Sequence, residues 1–94
     1  MTSGRLVFRV HALQRMASRM VSEVEIRDVL ENGKAIEERP DDIPFPTRVM
    51  LGWVGGRPVH VVATKGEEDE TVIVTVYEPE PDRWTDGFTR RRRT

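Results

Sequence analysis

Two alternating segments joined by a pair of glycines constrain the fold of this chain most strongly. Residues 47–54 (TRVMLGWV) and 57–64 (RPVHVVAT) both have the two-residue period of a β-strand, and only Gly55 and Gly56 separate them. Two glycines between two strands are typical of a two-residue hairpin turn, because its backbone needs positive φ angles. Residues 71–78 (TVIVTVYE) form a third strand-like segment after an acidic loop. The second half of the chain is therefore predicted to form an antiparallel sheet.

The first half of the chain has the helical period instead. Residues 11–20 (HALQRMASRM) are predicted to form a helix with its apolar and cationic side chains on different faces. The apolar face consists of Leu13, Met16, Ala17 and Met20, and the cationic face consists of His11, Arg15 and Arg19. Ser22 and Glu25 have the spacing of a capping box, which predicts that a second helix begins there. Gly33 is predicted to end that helix in the left-handed conformation.

Shorter strands are predicted before and after the two helices. Residues 5–10 (RLVFRV) have the pattern of an edge strand, and residues 34–39 (KAIEER) form a second short strand. We expect one domain spanning residues 1–94, in which residues 1–4 and 89–94 are frayed. The predicted fold is α+β: two N-terminal helices pack on one face of a mostly antiparallel sheet of about four strands.

The turns also predict which residues lie opposite one another in the sheet. Pairing across the glycine turn places His60 opposite Leu51, and pairing across the acidic loop places His60 opposite Thr75, with Tyr77 diagonal to it. These polar side chains are then on the sheet face that the helices leave uncovered. A slip of one residue would exchange the two faces of the sheet.

Composition excludes several kinds of chemistry. The chain has 94 residues, a formal net charge of −1 and no cysteine, which removes disulfides, thiolate metal sites and cysteine nucleophiles. Its two histidines have no metal-binding spacing, and no glycine-rich phosphate loop is present, so we predict no metal and no cofactor. No segment is apolar enough for a signal peptide or a membrane span, so a cytoplasmic location without membrane contact is predicted.

His60 and Tyr77 are the first candidates for chemistry. An imidazole and a phenol on a half-open sheet face can move a proton near neutral pH and orient a phosphate or hydroxyl group. The alternative is structural: His60 is a packed strand residue bonded to Thr75, and Tyr77 is a core aromatic side chain with its hydroxyl group at the rim.

The cationic face of the first helix is the second candidate. Two guanidinium groups at helical spacing can clamp phosphates, and His11 at the helix N-terminus lies where anions are favoured. The alternative is a solvated face whose arginines pair with carboxylates elsewhere, since residues 23–47 carry eight acidic side chains.

The combined motifs resemble a widespread prokaryotic family of small domains of unknown function. The motifs are HAxxRMxxR, S-x-x-E-I with an N-G helix end, I-E-x-x-P-D-D, LGxxxGRPxHVV, TVYEPxPxxW and a final FxRRR. They extend from about Arg9 to Arg93. That family is similar to the RelE, BrnT and MqsR toxins of the barnase-like ribonuclease superfamily.

The resemblance implies helices packed on an antiparallel sheet, a metal-independent ribonuclease site on that sheet, and a small antitoxin protein as partner. Carried over by position, the matching polar residues are His11, Arg15, Arg19, His60 and Tyr77.

The leading function hypothesis is therefore a metal-independent, toxin-like endoribonuclease that acts on free or ribosome-bound RNA. His60 or His11 would take the 2′-hydroxyl proton, and Tyr77 or the other histidine would serve the leaving oxygen. The residues expected to contact RNA are Arg15, Arg19, Trp53 and Thr75.

Two alternatives stay open. The same sheet face would dock a partner protein through Trp53, Tyr77 and Trp84 in a non-catalytic binding module or a degenerate family member. An exposed edge strand would instead mediate self-association.

Overall fold

Residues 4–92, which the computed structural model describes, form two helices and two sheets. The helices are α1 (Val10–Arg19) and α2 (Glu23–Asn32). The strands are β1 (Leu6–Phe8), β2 (Lys34–Arg39), β3 (Thr47–Val54), β4 (Arg57–Lys65), β5 (Thr71–Tyr77), β6 (Trp84–Thr85) and β7 (Arg90–Arg91). The predicted α+β class is confirmed, and the glycine turn joins β3 to β4 with both glycines at positive φ.

The main sheet has five strands in the order β1-β5-β4-β3-β2. Four of them are antiparallel neighbours, but β1 pairs with β5 in parallel. The expected sheet of about four mostly antiparallel strands is therefore wrong in this detail. The additional edge strand is parallel because the whole of α1 and α2 lies between β1 and β2, so the chain is free to enter the sheet beside β5.

Both helices pack on one face of this sheet, which we call the helical face. From the helices the core takes Ala12, Met16, Ile26, Val29 and Leu30, and from the strands it takes Leu6, Met50, Val54, Val59, Val61, Ala63, Ile73 and Val76, with Val21 between the helices. The capping box of α2 is confirmed: Ser22 Oγ accepts from the amide of Glu25, and the Glu25 carboxylate accepts from the amide of Ser22. The second helix therefore begins where the sequence predicts.

The two helix ends differ from expectation. Gly33 has φ −79° and is not left-handed, whereas Met20 ends α1 in the left-handed conformation with φ 56°. Glycine is still required at position 33 because a Cβ there would clash with the carbonyl oxygen of Val29 and would lie 2.5 Å from that of Leu51. The close approach of two backbones, and not a left-handed turn, selects this glycine.

Two β-bulges interrupt the register of the sheet. In β5 the pairs Ala63–Ile73 and Val62–Thr75 leave Val74 as an extra residue. In β2 the pairs Ala35–Met50 and Glu37–Val49 leave Ile36 as an extra residue. Because side chains alternate between the faces of a strand, each extra residue moves the side chains beyond it to the other face. The predicted pair His60–Thr75 is therefore wrong, and His60 lies directly opposite Tyr77.

The face of the sheet opposite the helices, which we call the outer face, is covered by the chain after β5. Residues 79–92, the C-terminal strap, contain the β6–β7 hairpin, and Trp84 within it is only 4% exposed. The amide of Arg92 also donates to the carbonyl of Arg83 at 2.8 Å. Residues 89–92, expected to be frayed, are thus held in a hairpin, and residues 1–3 and 93–94 lie outside the described residues. Neither helix of this region is long and apolar enough to cross a membrane.

Gly52 determines how closely α2 can approach β3. A Cβ built on Gly52 would lie 2.5 Å from Cγ2 of Val29. We predict that Gly52→Ala lowers the free energy of unfolding by about 1–3 kcal/mol, because the helix must move away from the sheet. Urea denaturation measures the change. The matched control is Gly4→Ala, where nothing lies within 4 Å of the added carbon, and a change above about 0.5 kcal/mol is not expected. Equal stability of the two variants would contradict the predicted packing.

Candidate functional site

A group of polar side chains lies on the outer face, beneath and beside the C-terminal strap. Its members, which we call the outer-face cluster, are Glu37, Arg39, His60, Tyr77 and Arg91. The bulge in β2 turns Glu37 and Arg39 to this face, and the bulge in β5 turns Tyr77 to it. Bulges commonly re-aim side chains beside functional sites. The cluster therefore depends on both irregularities of the sheet.

His60 is the fully buried member of the cluster, with 0% of its surface exposed. Its Nε2 lies 2.8 Å from the carbonyl oxygen of Phe88, which can only accept, so Nε2 carries the proton. Its Nδ1 is then an acceptor, and the hydroxyl group of Tyr77 donates to it across 3.2 Å. This tautomer is assigned from the hydrogen bonds. Both ring nitrogens are satisfied, as a buried imidazole requires.

Two aromatic rings enclose the imidazole. Trp84 of the strap meets it edge to face, with ring centroids 4.4 Å apart, and Tyr77 does the same at 5.2 Å. Burial lowers the pKa of His60, and the field of Arg91 acts in the same direction, although the Phe88 carbonyl and the Glu37 carboxylate oppose it. His60 is therefore a neutral ring near physiological pH.

Glu37 joins two guanidinium groups at the edge of the cluster. Its Oε1 accepts from Arg39 at 2.9 Å, and its Oε2 accepts from Arg91 at 2.8 Å. Burial alone would raise the pKa of Glu37, but the hydrogen bonds from Arg91 and Arg39 outweigh it and hold the pKa below its usual range. Arg91 also lies over the ring of Trp84, 4.8 Å from the centroid, which is a cation–π arrangement. One carboxylate and two guanidinium groups leave a net positive charge here.

Tyr77 connects the charged edge of the cluster to the buried ring. Burial raises the pKa of its phenol, and of the charged groups nearby Glu37 raises it while Arg91 and Arg39 lower it. These interactions show that all three charged side chains are near enough to act on the phenol. The hydroxyl oxygen gives its proton to His60 and retains lone pairs that can accept another.

The outer face receives four of the residues predicted from sequence. His60 and Tyr77 are brought together, whereas Thr75 lies one pair away, opposite Val62. Trp53 is on the same face, 55% exposed, with its ring 6.1 Å from that of Phe88. Trp84, which the protein-binding hypothesis placed at an exposed rim, is instead buried.

The cationic residues of α1 do not join this cluster. Ala12 and Met16 of α1 pack into the core on the helical face, whereas His60 projects from the outer face. The structure therefore separates the two candidate groups by the thickness of the sheet. The side chains of His11, Arg15 and Arg19 are exposed and make no hydrogen bond or ion pair with residues 4–92.

Glu37, Arg39 and Arg91 were not predicted from sequence. Without the bulge Glu37 would face the helices, because Ala35 pairs with the core residue Met50. Arg91 belongs to a run of four arginines that resembles a frayed tail. The one available signal was the alternation of charge in EER at the end of β2.

The outer-face cluster combines an anion-binding edge with a proton-transfer pair. Two guanidinium groups match the oxygens of a phosphate group, and the Tyr77–His60 pair can accept a proton through the phenol oxygen. Within residues 4–92, no three side chains of His, Asp or Glu are grouped so that they could hold a metal ion.

The buried state of His60 predicts a pH dependence of stability. The unfolded chain binds a proton near the ordinary pKa of about 6.5, but the folded protein binds it only at lower pH because its pKa is lowered. The free energy of unfolding should therefore fall between about pH 7 and pH 5.5, by at most about 1.4 kcal/mol per pH unit. His11→Gln should retain this slope, and His60→Gln should lose it.

Calorimetry at several pH values measures the slope, and NMR titration of the two imidazoles measures the pKa of His60 directly. A midpoint for His60 at or above about pH 6.5 would contradict the buried, neutral ring.

The comparisons with known proteins place the chain in one family. Residues 8–78 match the family described as Domain of unknown function (DUF4258), so the match includes both bulges and ends before the strap. Comparison with curated proteins and with solved structures finds no match. Because the matched residues make up most of the chain, this protein belongs to the DUF4258 family.

Proposed function

We propose that this protein is a metal-independent endoribonuclease of the toxin type, with the outer-face cluster as its active site. The observation that carries the proposal is the joining of an ionised, arginine-held carboxylate to a tyrosine–histidine pair on one sheet face. RNA provides its own nucleophile, the 2′-hydroxyl group, so cleavage needs only proton transfer and stabilisation of phosphate charge.

The proton of the 2′-hydroxyl group leaves through Tyr77. The phenol oxygen accepts this proton while it passes its own proton to Nδ1 of His60, 3.2 Å away. The resulting imidazolium is stabilised by the Phe88 carbonyl and by the charge of Glu37. A buried histidine can thus serve as the base without touching RNA, and Tyr77 is the group that contacts the substrate.

Arg39 and Arg91 bind the reacting phosphate. Both side chains are about half exposed and are held from the same carboxylate, which fixes their direction. As the 2′-oxygen attacks phosphorus and the bond to the 5′-oxygen breaks, they stabilise the added negative charge. Solvent water protonates the departing 5′-oxygen. The products are a 2′,3′-cyclic phosphate and a free 5′-hydroxyl group.

Other expectations belong to the same proposal. Trp53 provides an exposed ring on which a base of single-stranded RNA can stack. The motif resemblance to RelE, BrnT and MqsR toxins supports a toxin role in the cytoplasm with a small antitoxin as partner. Arg15 and Arg19 would contact more distant parts of an RNA, because they lie on the other side of the sheet.

Cleavage of single-stranded RNA in EDTA tests the proposal. We expect Tyr77→Phe and Arg39→Gln each to reduce the rate of cleavage by about 100-fold or more, since each removes a group needed in the transition state. Arg48→Gln is the matched control: this exposed arginine pairs with Glu38 on the helical face, so cleavage should be unchanged. The readouts are the rate of cleavage and the cyclic-phosphate ends.

If neither free nor ribosome-bound RNA is cut by the wild-type protein, the proposal is wrong. Equal rates for the wild-type protein and Tyr77→Phe would place any activity elsewhere.

A non-catalytic protein-binding module is the second candidate. The observation in its favour is the complete enclosure of His60 by the strap. In that case the outer-face cluster would hold the strap in place, and its variants would alter stability without altering any reaction on RNA.

A further inference from the structure

The exposed side of α1 carries an apolar strip that the core does not use. The sequence predicts that Leu13, Met16 and Met20 pack together, but of these only Met16 is buried. Leu13 is 50% exposed, Met20 is 83% exposed and Val10 is 70% exposed. The strip consists of Val10, Leu13, Ala17 and Met20, at helical intervals of three and four residues. An ordered row of this kind is unusual on a monomer and marks an interaction surface.

A cationic ladder runs beside the strip on the same exposed side. It consists of His11, Arg15 and Arg19, which follow at intervals of four residues. Only Gln14 and Ser18 separate the two rows on the helical surface. None of the ladder's side chains has a partner within the described residues, although Arg5, Arg57 and Arg91 all form ion pairs with glutamates. The helix has no acidic residue in its first turn.

We propose that this surface of α1 docks an acidic amphipathic segment of another protein, with apolar side chains on the strip and carboxylates on the ladder. An acidic helix with its own apolar row is the segment that fills both rows together. RNA would satisfy the ladder but would leave the strip in water. A second copy of this chain would bring three more cationic groups to the ladder and would not complement it.

A lipid surface fits α1 less well than an acidic segment. A helix that lies on an anionic bilayer carries cationic groups on both flanks of its apolar face. On α1 the ladder flanks the strip on one side only, because on the other side the strip adjoins Met16, which is packed against the sheet. The partner must therefore present its apolar and acidic groups side by side.

A synthetic peptide provides the probe. It is a labelled, helical 16-residue peptide with leucines at intervals of three and four residues and glutamates in the adjacent row; a scrambled peptide of the same composition is its control. Fluorescence anisotropy measures binding to the full chain. We expect the double variants Leu13→Asp with Met20→Asp, and Arg15→Glu with Arg19→Glu, each to weaken binding by about tenfold or more.

Matched controls separate the surface from general effects of charge and hydropathy. Ile43→Asp changes a side chain that is 92% exposed in a loop, and Arg90→Glu changes an exposed arginine of the strap. Both should bind the peptide as the wild-type protein does. All these side chains are exposed, so circular dichroism should show unchanged folding.

Other occupants are outcomes that overturn the proposal. These are no binding of the peptide by the wild-type protein at millimolar concentration, equal binding of the scrambled peptide, or equal binding by the α1 variants. Stronger effects of the α1 variants on phosphatidylglycerol vesicles or oligouridine than on the peptide would assign the surface to lipid or RNA. A loss of self-association in these variants, seen by sedimentation, would assign it to a second copy.

Discussion

The buried imidazole of His60 is the constraint on which the outer half of this structure depends. A polar ring with no exposed surface must have both nitrogens hydrogen-bonded, since an unsatisfied buried group would cost about 1–3 kcal/mol. One bond needs Tyr77 directly opposite on β5, and the other needs the carbonyl of Phe88 in the strap. The pairing of two central strands and the path of the C-terminal chain are therefore coupled through one side chain.

Two single-residue bulges make this arrangement possible. Val74 is the extra residue in β5, and it allows Ile73 to enter the core while Tyr77 reaches the outer face. Ile36 has the same effect in β2, where it turns Glu37 toward Arg91. A regular sheet would divide these polar groups between its two faces. The chemistry proposed for the outer face therefore originates in irregular pairing, with the strap supplying one of the two phosphate-binding arginines.

Sequence patterns predicted the elements well, because periodicity, capping and tight turns are local. The β3–β4 hairpin and the start of α2 at Ser22 both agree with the structure. Register beyond a bulge could not be predicted, since Val74 in an unbroken run of strand-forming residues has no local signal. The long-range partners Glu37 and Arg91 were missed for the same reason, as they are 54 residues apart. Recognition of the motifs correctly indicated a small domain of unknown function.

Cross-strand NMR contacts between β4 and β5 test the central claim most directly. If the bulge lies at Val74, nuclear Overhauser effects should connect the backbone of His60 with that of Tyr77, and Val62 with Thr75. The hydroxyl proton of Tyr77 should also be protected from exchange by its bond to the imidazole. Contacts between His60 and Thr75 instead would mean a regular strand, and the outer-face cluster described above would not exist.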